Sequence, residues 1–215
     1  MFFFSQKIKN PFVISVVDCW KDDHNLYFLF PFHCGGELFT FMRLYDRLST
    51  SSVSFYTAEI VSALAYLHSL NIAYRDLKPE NVLLDREGHV IITDFGFAKM
   101  LGESSTTWTV CGTPEYLAPE ILQGRGHNRA VDWWSLGILV YEMLVGQPPF
   151  TDPSLMGLYQ KIVNCEIVWR DDLVSLDQDT KDFIVKLLNP EENLRLGGGC
   201  SGAREVMSHG WVRRF

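Results

Sequence analysis

Residues Val131 to Val145 are apolar nearly all the way round a helical wheel, with Trp133, Trp134, Ile138, Val140 and Leu144 in a single run. A helix without a polar face belongs in the middle of a larger body, because no side of it can be left in water. The rest of the chain must supply that body. At 215 residues it has the length of one large domain, or of one domain and part of another. With 47% hydrophobic and 21% charged residues it can build a sizeable core, and it lacks the composition that keeps a chain unfolded.

Around the central run the reading is of a few strands followed mostly by helices. Phe12 to Val17 and Leu26 to Phe32 are rich in Val and aromatics and are joined by polar Lys21 to Asn25, the pattern of two strands. Gly35-Gly36 breaks the chain, and Glu37 opens a short helical pattern. Ser51 to Ser54 offer N-caps for a long helix in which Tyr56, Ile60, Leu64 and Leu67 recur at helical spacing. Val82–Leu84 and Val90–Ile92 are expected as short strands about an Asp85-Arg-Glu-Gly turn. A further helix near Thr180 to Leu188 should stop at Asn189-Pro190. Between Asp94 and Glu120 no period is sustained, and so long an irregular segment inside a domain usually carries function.

Charge and cysteine usage narrow the function. Nineteen Lys+Arg against 26 Asp+Glu give a net charge of -7. That balance lacks the electrostatic footprint of a nucleic-acid binder and is repelled by an anionic membrane surface. The five cysteines are odd in number and form no Cys-x-x-Cys pair, which argues against zinc and disulfides and for a reducing compartment. The apolar start has no basic leader, so no signal peptide is expected. The longest uncharged run, Ile60 to Tyr74, is too short to span a bilayer. The expected location is the cytoplasm, with the nucleus also open to it.

Three short strings occur in order: Tyr74-Arg-Asp-Leu-Lys-Pro-Glu-Asn81, Asp94-Phe-Gly96 and Ala118-Pro-Glu120. Asp-Phe-Gly alone is an ordinary turn, and Ala-Pro-Glu an ordinary helix start. The eight-residue string is far more specific, since it sets Asp76, Lys78 and Asn81 in one loop before a strand. Phosphoryl transfer from ATP needs aligned groups and neutralised charge more than covalent work. Asp76 suits acceptance of a hydroxyl proton, Lys78 suits the transferring phosphate, and Asn81 and Asp94 are hard oxygen ligands for Mg²⁺. The two short strands between Asp76 and Asp94 can bring both acids to one mouth.

With Thr93 to Lys99, Thr107 to Glu120 and Ala130 to Gly137, these strings closely resemble the larger lobe of an AGC-group serine/threonine protein kinase, closest to the cAMP-dependent protein kinase family. The resemblance runs from about Asn10 onward and is most specific over residues 74 to 146. It implies an α+β, protein-kinase-like fold, with remnant small-lobe strands and a β hinge over residues 1–32 and a mainly helical lobe over 33–215. Within that lobe it implies a catalytic loop at 74–81, an activation segment at 94–120 and a central helix at about 131–145. It implies ATP and Mg²⁺ as cofactors. Pro31 and His33 would form the hinge and Leu83 the floor under adenine, with Glu37, Lys78, Glu80, Asn81, Thr93 and Asp94 completing the nucleotide site.

The same resemblance implies further roles. Lys78 and Thr113 mark a Ser/Thr rather than a Tyr kinase. Glu37, Glu80 and Glu142 match the carboxylates that grip arginines preceding the acceptor, and bidentate Arg–carboxylate pairing is charge-assisted and selective. Val110, Pro114 and Leu117 match an apolar pocket for the residue after it. Thr109 matches the activation-loop phosphothreonine, with Arg75 and Lys99 as its cationic partners. Glu120 is expected to pair with Arg195, and Asp132 to accept backbone N–H groups of the catalytic loop. Trp133, Trp134 and Tyr141 read as core, and His24, His89, His127 and His209 show no ligand spacing. Implied partners are basic Ser/Thr-containing proteins and a cAMP-binding regulatory subunit, with neither nucleic acid nor membrane.

The sequence departs from the family in holding no Gly-x-Gly-x-x-Gly string before residue 10 and no Val-Ala-x-Lys string. The hinge has Pro31 where an acid is usual, and Asn189-Pro-Glu-Glu-Asn-Leu-Arg195 differs from the usual Asp-containing run. Without the smaller lobe, Leu83, Phe95 and the strands near Val16 and Phe28 are expected to expose apolar surface. The expectation is an active kinase of which this chain records the larger lobe. The alternative is a truncated, non-catalytic lobe that binds basic peptides.

Overall fold

In the computed structural model, which describes residues 9–102, 105–169 and 176–214, the chain forms a hairpin, β1 (Asp18–Lys21) and β2 (Leu26–Leu29), then helices α1 (Leu38–Tyr45) and α2 (Thr50–Ser69). Four short strands follow: β3 (Ile72–Ala73), β4 (Val82–Leu84), β5 (Val90–Ile92) and β6 (Lys99–Met100). The remainder is helical: α3 (Pro119–Leu122), α4 (Ala130–Val145), α5 (Leu155–Val163), α6 (Gln178–Leu187) and α7 (Ala203–Ser208). The strands pair as three antiparallel ribbons, β1–β2, β3–β6 and β4–β5. The class is the expected α+β, mainly helical.

The apolar run is the axis of the molecule. Every residue of α4 is buried except Glu142, and α2 and α6 pack against it. Trp133, Trp134 and Tyr141 are buried as expected, and Trp134 stacks on Phe150 with ring centroids 5.8 Å apart. At about 1.5–3 kcal/mol for each large apolar side chain removed from water, this helix contributes more to the core than its length suggests. Gly146, in the left-handed region at φ 86°, ends it; its N–H donates to the Glu142 carbonyl, and a Cβ there would lie 2.4 Å from the carbonyl oxygen of Asp46.

Three expectations need correction. Phe12 to Val17 is not a strand. Val13 bridges Ile92 in parallel, the Ile14 N–H donates to the Ile92 carbonyl, and the hairpin strand begins later, at Asp18. The reason is local: Asp22 Oδ1 accepts the N–H groups of His24 (2.8 Å) and Asn25 (2.6 Å), a side-chain-closed turn that sets the register at Lys21–Leu26. The long helix is capped two residues before the first expected serine, because Ser49 Oγ accepts the Ser52 N–H at 3.1 Å. Of the residues expected to expose apolar surface, Phe95 is buried, edge-on to Tyr74 at 5.5 Å, whereas the hairpin region does expose it, at Val17, Trp20 and Phe32. No helix among the described residues is long and apolar enough to cross a membrane.

One polar bond ties α2 to the β4–β5 ribbon. The largely buried Glu59 carboxylate accepts the Val90 N–H at 2.9 Å through Oε2, and Oε1 lies 2.5 Å from His89 Nδ1. The hydrogen bond and charge of Glu59 raise the His89 imidazole above its ordinary range, against a small opposing effect of burial. A raised histidine contributes stability that is full below its unfolded value and lost as pH rises through the folded one. The midpoint of urea unfolding should therefore fall between about pH 6 and pH 9, and His89→Gln should flatten that fall. An unaltered slope in the variant would show that the pair does not link pH to folding.

Candidate active site

The loop from Tyr74 to Asn81 is held from below by one buried carboxylate. Asp132, fully buried near the start of α4, accepts the Arg75 N–H (2.7 Å) on Oδ1 and the Tyr74 N–H (2.9 Å) on Oδ2. Oδ2 also lies 2.7 Å from His68 Nε2, on the last turn of α2. These bonds hold Arg75 at φ 68°, a left-handed conformation that costs a non-glycine residue about 1–3 kcal/mol. Asp94 sits in a similar conformation, φ 48°, with Oδ1 accepting the Gly96 N–H at 2.8 Å. Both unusual backbones flank the residues with chemistry.

Asp76 is 5% exposed and surrounded by donors. Asn81 Nδ2 donates to its carbonyl (2.8 Å) and to its Oδ2 (2.7 Å), while Lys78 Nζ lies 3.5 Å from Oδ2. Lys78 also donates to Thr113 Oγ1 at 3.0 Å, and the Thr113 hydroxyl reaches Asp76 Oδ1 at 3.5 Å. Burial raises the Asp76 carboxyl above the usual range; Lys78 and Asn81 oppose that and Asp94 adds to it. The Thr93 N–H donates to the Asn81 carbonyl at 2.9 Å, and the Tyr74 hydroxyl to the Thr93 carbonyl at 2.5 Å. So Asp76, Lys78, Asn81, Thr93 and Thr113 are one connected group, with exposed Asp94 following directly.

The approach from the hinge is built by backbone. Glu37 bridges Leu83, and the Leu84 N–H donates to the Gly36 carbonyl at 2.8 Å. A Cβ on Gly35 would come within 2.6 Å of the Leu84 carbonyl oxygen, so only glycine allows this approach. Pro31 is exposed and His33 half-buried on the chain leading there. The Glu37 side chain makes no cap bond to α1, although it stands at the N-cap position.

The three carboxylates expected to read arginine divide in two. Glu80 is exposed and Glu142 half-buried, and they act on one another; Glu37 stands apart, against β4. Sequence reasoning missed two members of the cluster, Glu115 and Tyr116. The Tyr116 hydroxyl donates to Glu142 Oε2. Burial raises the Glu142 carboxyl, the Tyr116 bond lowers it, and the charges of Glu80 and Glu115 raise it again. The signal was legible in principle, since both residues lie inside the string that joins Thr107 to Glu120. Of the apolar trio, Leu117 is buried, Pro114 half-buried and Val110 65% exposed. Gly112, at φ 117°, lies so close to Leu117 and the Arg75 carbonyl that a Cβ would meet them at 3.1 and 3.2 Å.

Thr109 is exposed, and the two cations expected around it are otherwise engaged. Lys99 Nζ donates to Thr107 Oγ1 at 2.8 Å, and Arg75 Nε donates to the Phe97 carbonyl at 2.8 Å. Farther along, Arg195 grips Glu120 with two bonds of 2.7 and 2.8 Å, both residues being almost fully buried. The same guanidinium donates to the carbonyls of Ala130 and Asn189, each at 3.0 Å, and lies over the Trp134 ring at 5.2 Å. It thereby joins the end of the irregular segment, at Glu120, to the start of α4.

Comparison with known proteins bears on this geometry. The family model described as protein kinase domain matches residues 3–212. The cAMP-dependent protein kinase catalytic subunit 3 of Drosophila melanogaster is 54% identical over 98% of this chain, which covers 35% of that relative. The cAMP-dependent protein kinase catalytic subunit PRKX of Mus musculus is 53% identical over 97% of the chain, covering 57% of the relative. The catalytic subunit of Dictyostelium discoideum is 49% identical over 95%, covering 31%. The chain thus spans about a third to somewhat over half the length of these relatives.

The buried pair gives a direct expectation. Glu120→Ala leaves Arg195 charged, desolvated and half-satisfied, and should lower unfolding free energy by about 3–5 kcal/mol. Replacing both partners, Glu120→Leu with Arg195→Met, should cost clearly less. Urea melts of the three proteins check this, and equal losses in single and double variants would contradict it.

Proposed function

The chain belongs to the protein kinase domain family, and on that premise we propose that it transfers the ATP γ-phosphoryl group to Ser or Thr in basic protein segments of Arg-Arg-x-Ser/Thr type. The observation that carries the proposal is the connected group of Asp76, Lys78, Asn81 and Thr113, each bonded to another. Asp76 takes the acceptor hydroxyl's proton as it leaves, and its raised carboxyl suits that role better than an exposed acid. Lys78 and Thr113 position the acceptor and offset the charge of the moving phosphoryl group. Asn81 and Asp94 fit a magnesium ion: the Asn81 amide nitrogen is committed to Asp76, which leaves its oxygen as the ligand atom, and Asp94 is an exposed carboxylate. That ion neutralises phosphate charge when bound. Leu83 and the backbone from Pro31 to His33 receive the adenine.

Substrate choice follows from the acidic cluster. The charges of Glu80 and Glu115 add to burial in raising the Glu142 carboxyl, and an arginine guanidinium relieves that crowding. Glu37, on the other side of the site, contributes separately. A cAMP-binding regulatory subunit carrying a similar basic segment belongs to the same proposal, since the relatives are named cAMP-dependent. Phosphorylation of Thr109 orders the activation segment by drawing Arg75 and Lys99 onto new charge.

The tests use enzyme that carries the chain together with a glycine-rich lobe. Asp76→Asn should abolish phosphorylation of an arginine-rich peptide, and Thr109→Ala should remove most of it; peptide binding without Asp76-dependent turnover would instead favour a binding module. A raised carboxyl gains its charge only as pH rises through its value, so peptide affinity should increase from about pH 5 to pH 7.5. Glu142→Gln should lose much of that dependence and cost about 2–4 kcal/mol in kcat/KM. A peptide array without arginine preference would reject the specificity.

A further inference from the structure

Beside the activation segment two buried donors point at nothing. Arg75 is 9% exposed, and its Nη1 has no hydrogen-bond partner among the described residues. His127, on the segment leading into α4, is 2% exposed, and its Nε2 is likewise unpartnered. Buried polar atoms are almost always satisfied, so two in one neighbourhood mark a place built for a group that arrives later. The histidine is fixed there by backbone. Thr107 and His127 exchange two N–H···O=C bonds of 2.8 Å, an isolated antiparallel bridge. Its neighbour Gly126, at φ 75°, lies under the segment so closely that a Cβ would meet Thr106 Cγ2 at 2.9 Å and the Trp108 ring at 3.1 Å. Thr109 follows two residues after the bridge.

We propose that His127 Nε2 is a third donor to the phosphoryl group carried by Thr109, alongside Arg75 and Lys99. The inference rests on the reading of Thr109 as a phosphorylated residue and adds to it a titratable contact. The groups facing the imidazole come from four elements: Arg75 from the catalytic loop, Lys99 from β6, Glu120 from α3 and Asp132 from α4. Burial, and then the charge of Arg75, hold the ring below its ordinary range; Glu120 and Asp132 oppose this, and Lys99 adds a last push down. Before phosphorylation the ring is therefore neutral at neutral pH. A phosphoryl group brings about two negative charges, which reverses the field and favours the imidazolium, with a proton on Nε2 to donate. Lys99 then exchanges its bond to Thr107 for one to the phosphate.

The sign of the pH dependence follows. The contact is strong while His127 is protonated and the phosphate doubly charged. It fades as pH rises through the raised histidine value, and also below the phosphate's second pKa of about 6.

The test is NMR of this chain with phosphothreonine incorporated at position 109, against the unphosphorylated chain. His127 should titrate at least about one pH unit higher in the phosphorylated protein, a tenfold change in its proton equilibrium. The phosphorus resonance should show the matching inflection, and His127→Gln, which keeps the backbone bridge, should remove it. Phosphatase should release the phosphate faster at about pH 8 than at about pH 6.5 in the wild type and show a smaller difference in the variant. An unmoved histidine titration, with a phosphorus shift that still responds to Arg75→Lys, would overturn the proposal and leave the cation-held phosphothreonine standing. A phosphorus shift indifferent to Arg75→Lys, Lys99→Gln and His127→Gln alike would overturn both.

Discussion

A carboxylate with no access to water sets the geometry of everything above it. Asp132 lies in the first turn of a helix that is otherwise almost wholly apolar, and its two oxygens accept two successive backbone N–H groups as well as facing a histidine ring. Successive amides can converge on one carboxylate only if the chain turns sharply there, as it does with Arg75 in the left-handed region. That turn delivers Asp76 to the mouth of the site and leaves the Arg75 side chain beneath the activation segment. One buried charge therefore connects the rigid centre with both the Asp76 cluster and the irregular segment that follows Asp94. Unpaired, it would be costly to bury; its donors make it tolerable and fix the loop at the same time.

Much of this was legible in the residues. The apolar run predicted a central helix, the spacing of Asp76, Lys78 and Asn81 predicted one loop, and Val82–Leu84 and Val90–Ile92 appear with the expected bounds. Failures occurred where side chains close local structure. Asp22 moved the hairpin toward the C-terminus by bonding two amides, and Ser49 out-competed the serines after it because it alone stood one residue before a free first turn. Neither effect has a period, so neither shows in hydrophobic patterning. The partners of Lys99 and Glu59 were illegible for another reason: Thr107 is placed by its bridge to His127 and Val90 by the β4–β5 pairing, and neither shows in local pattern.

The electrostatics of the two sides of the activation segment are opposed. Glu142, Glu80 and Glu115 crowd negative charge on one side, while Arg75, Lys99 and buried His127 crowd positive or potentially positive charge on the other. The residues between them, Thr109 to Thr113, include Gly112 pressed against the Arg75 carbonyl. The net charge of -7 is thus unevenly used, and its sign at any one surface says little about the field at the next.

The clamp between Glu120 and Arg195 joins residues 75 positions apart. On a ribosome adding about 5–20 residues per second, α4 is complete seconds before its anchoring arginine exists. Through that interval the face of α4 that packs on α6 is uncovered, because α6 is also unmade. Contacts so distant along the chain form late and make the fold slow to close. The architecture that gives the finished molecule its stiff spine therefore makes its birth hazardous, and ties its yield in a cell to whatever shields hydrophobic helices during translation.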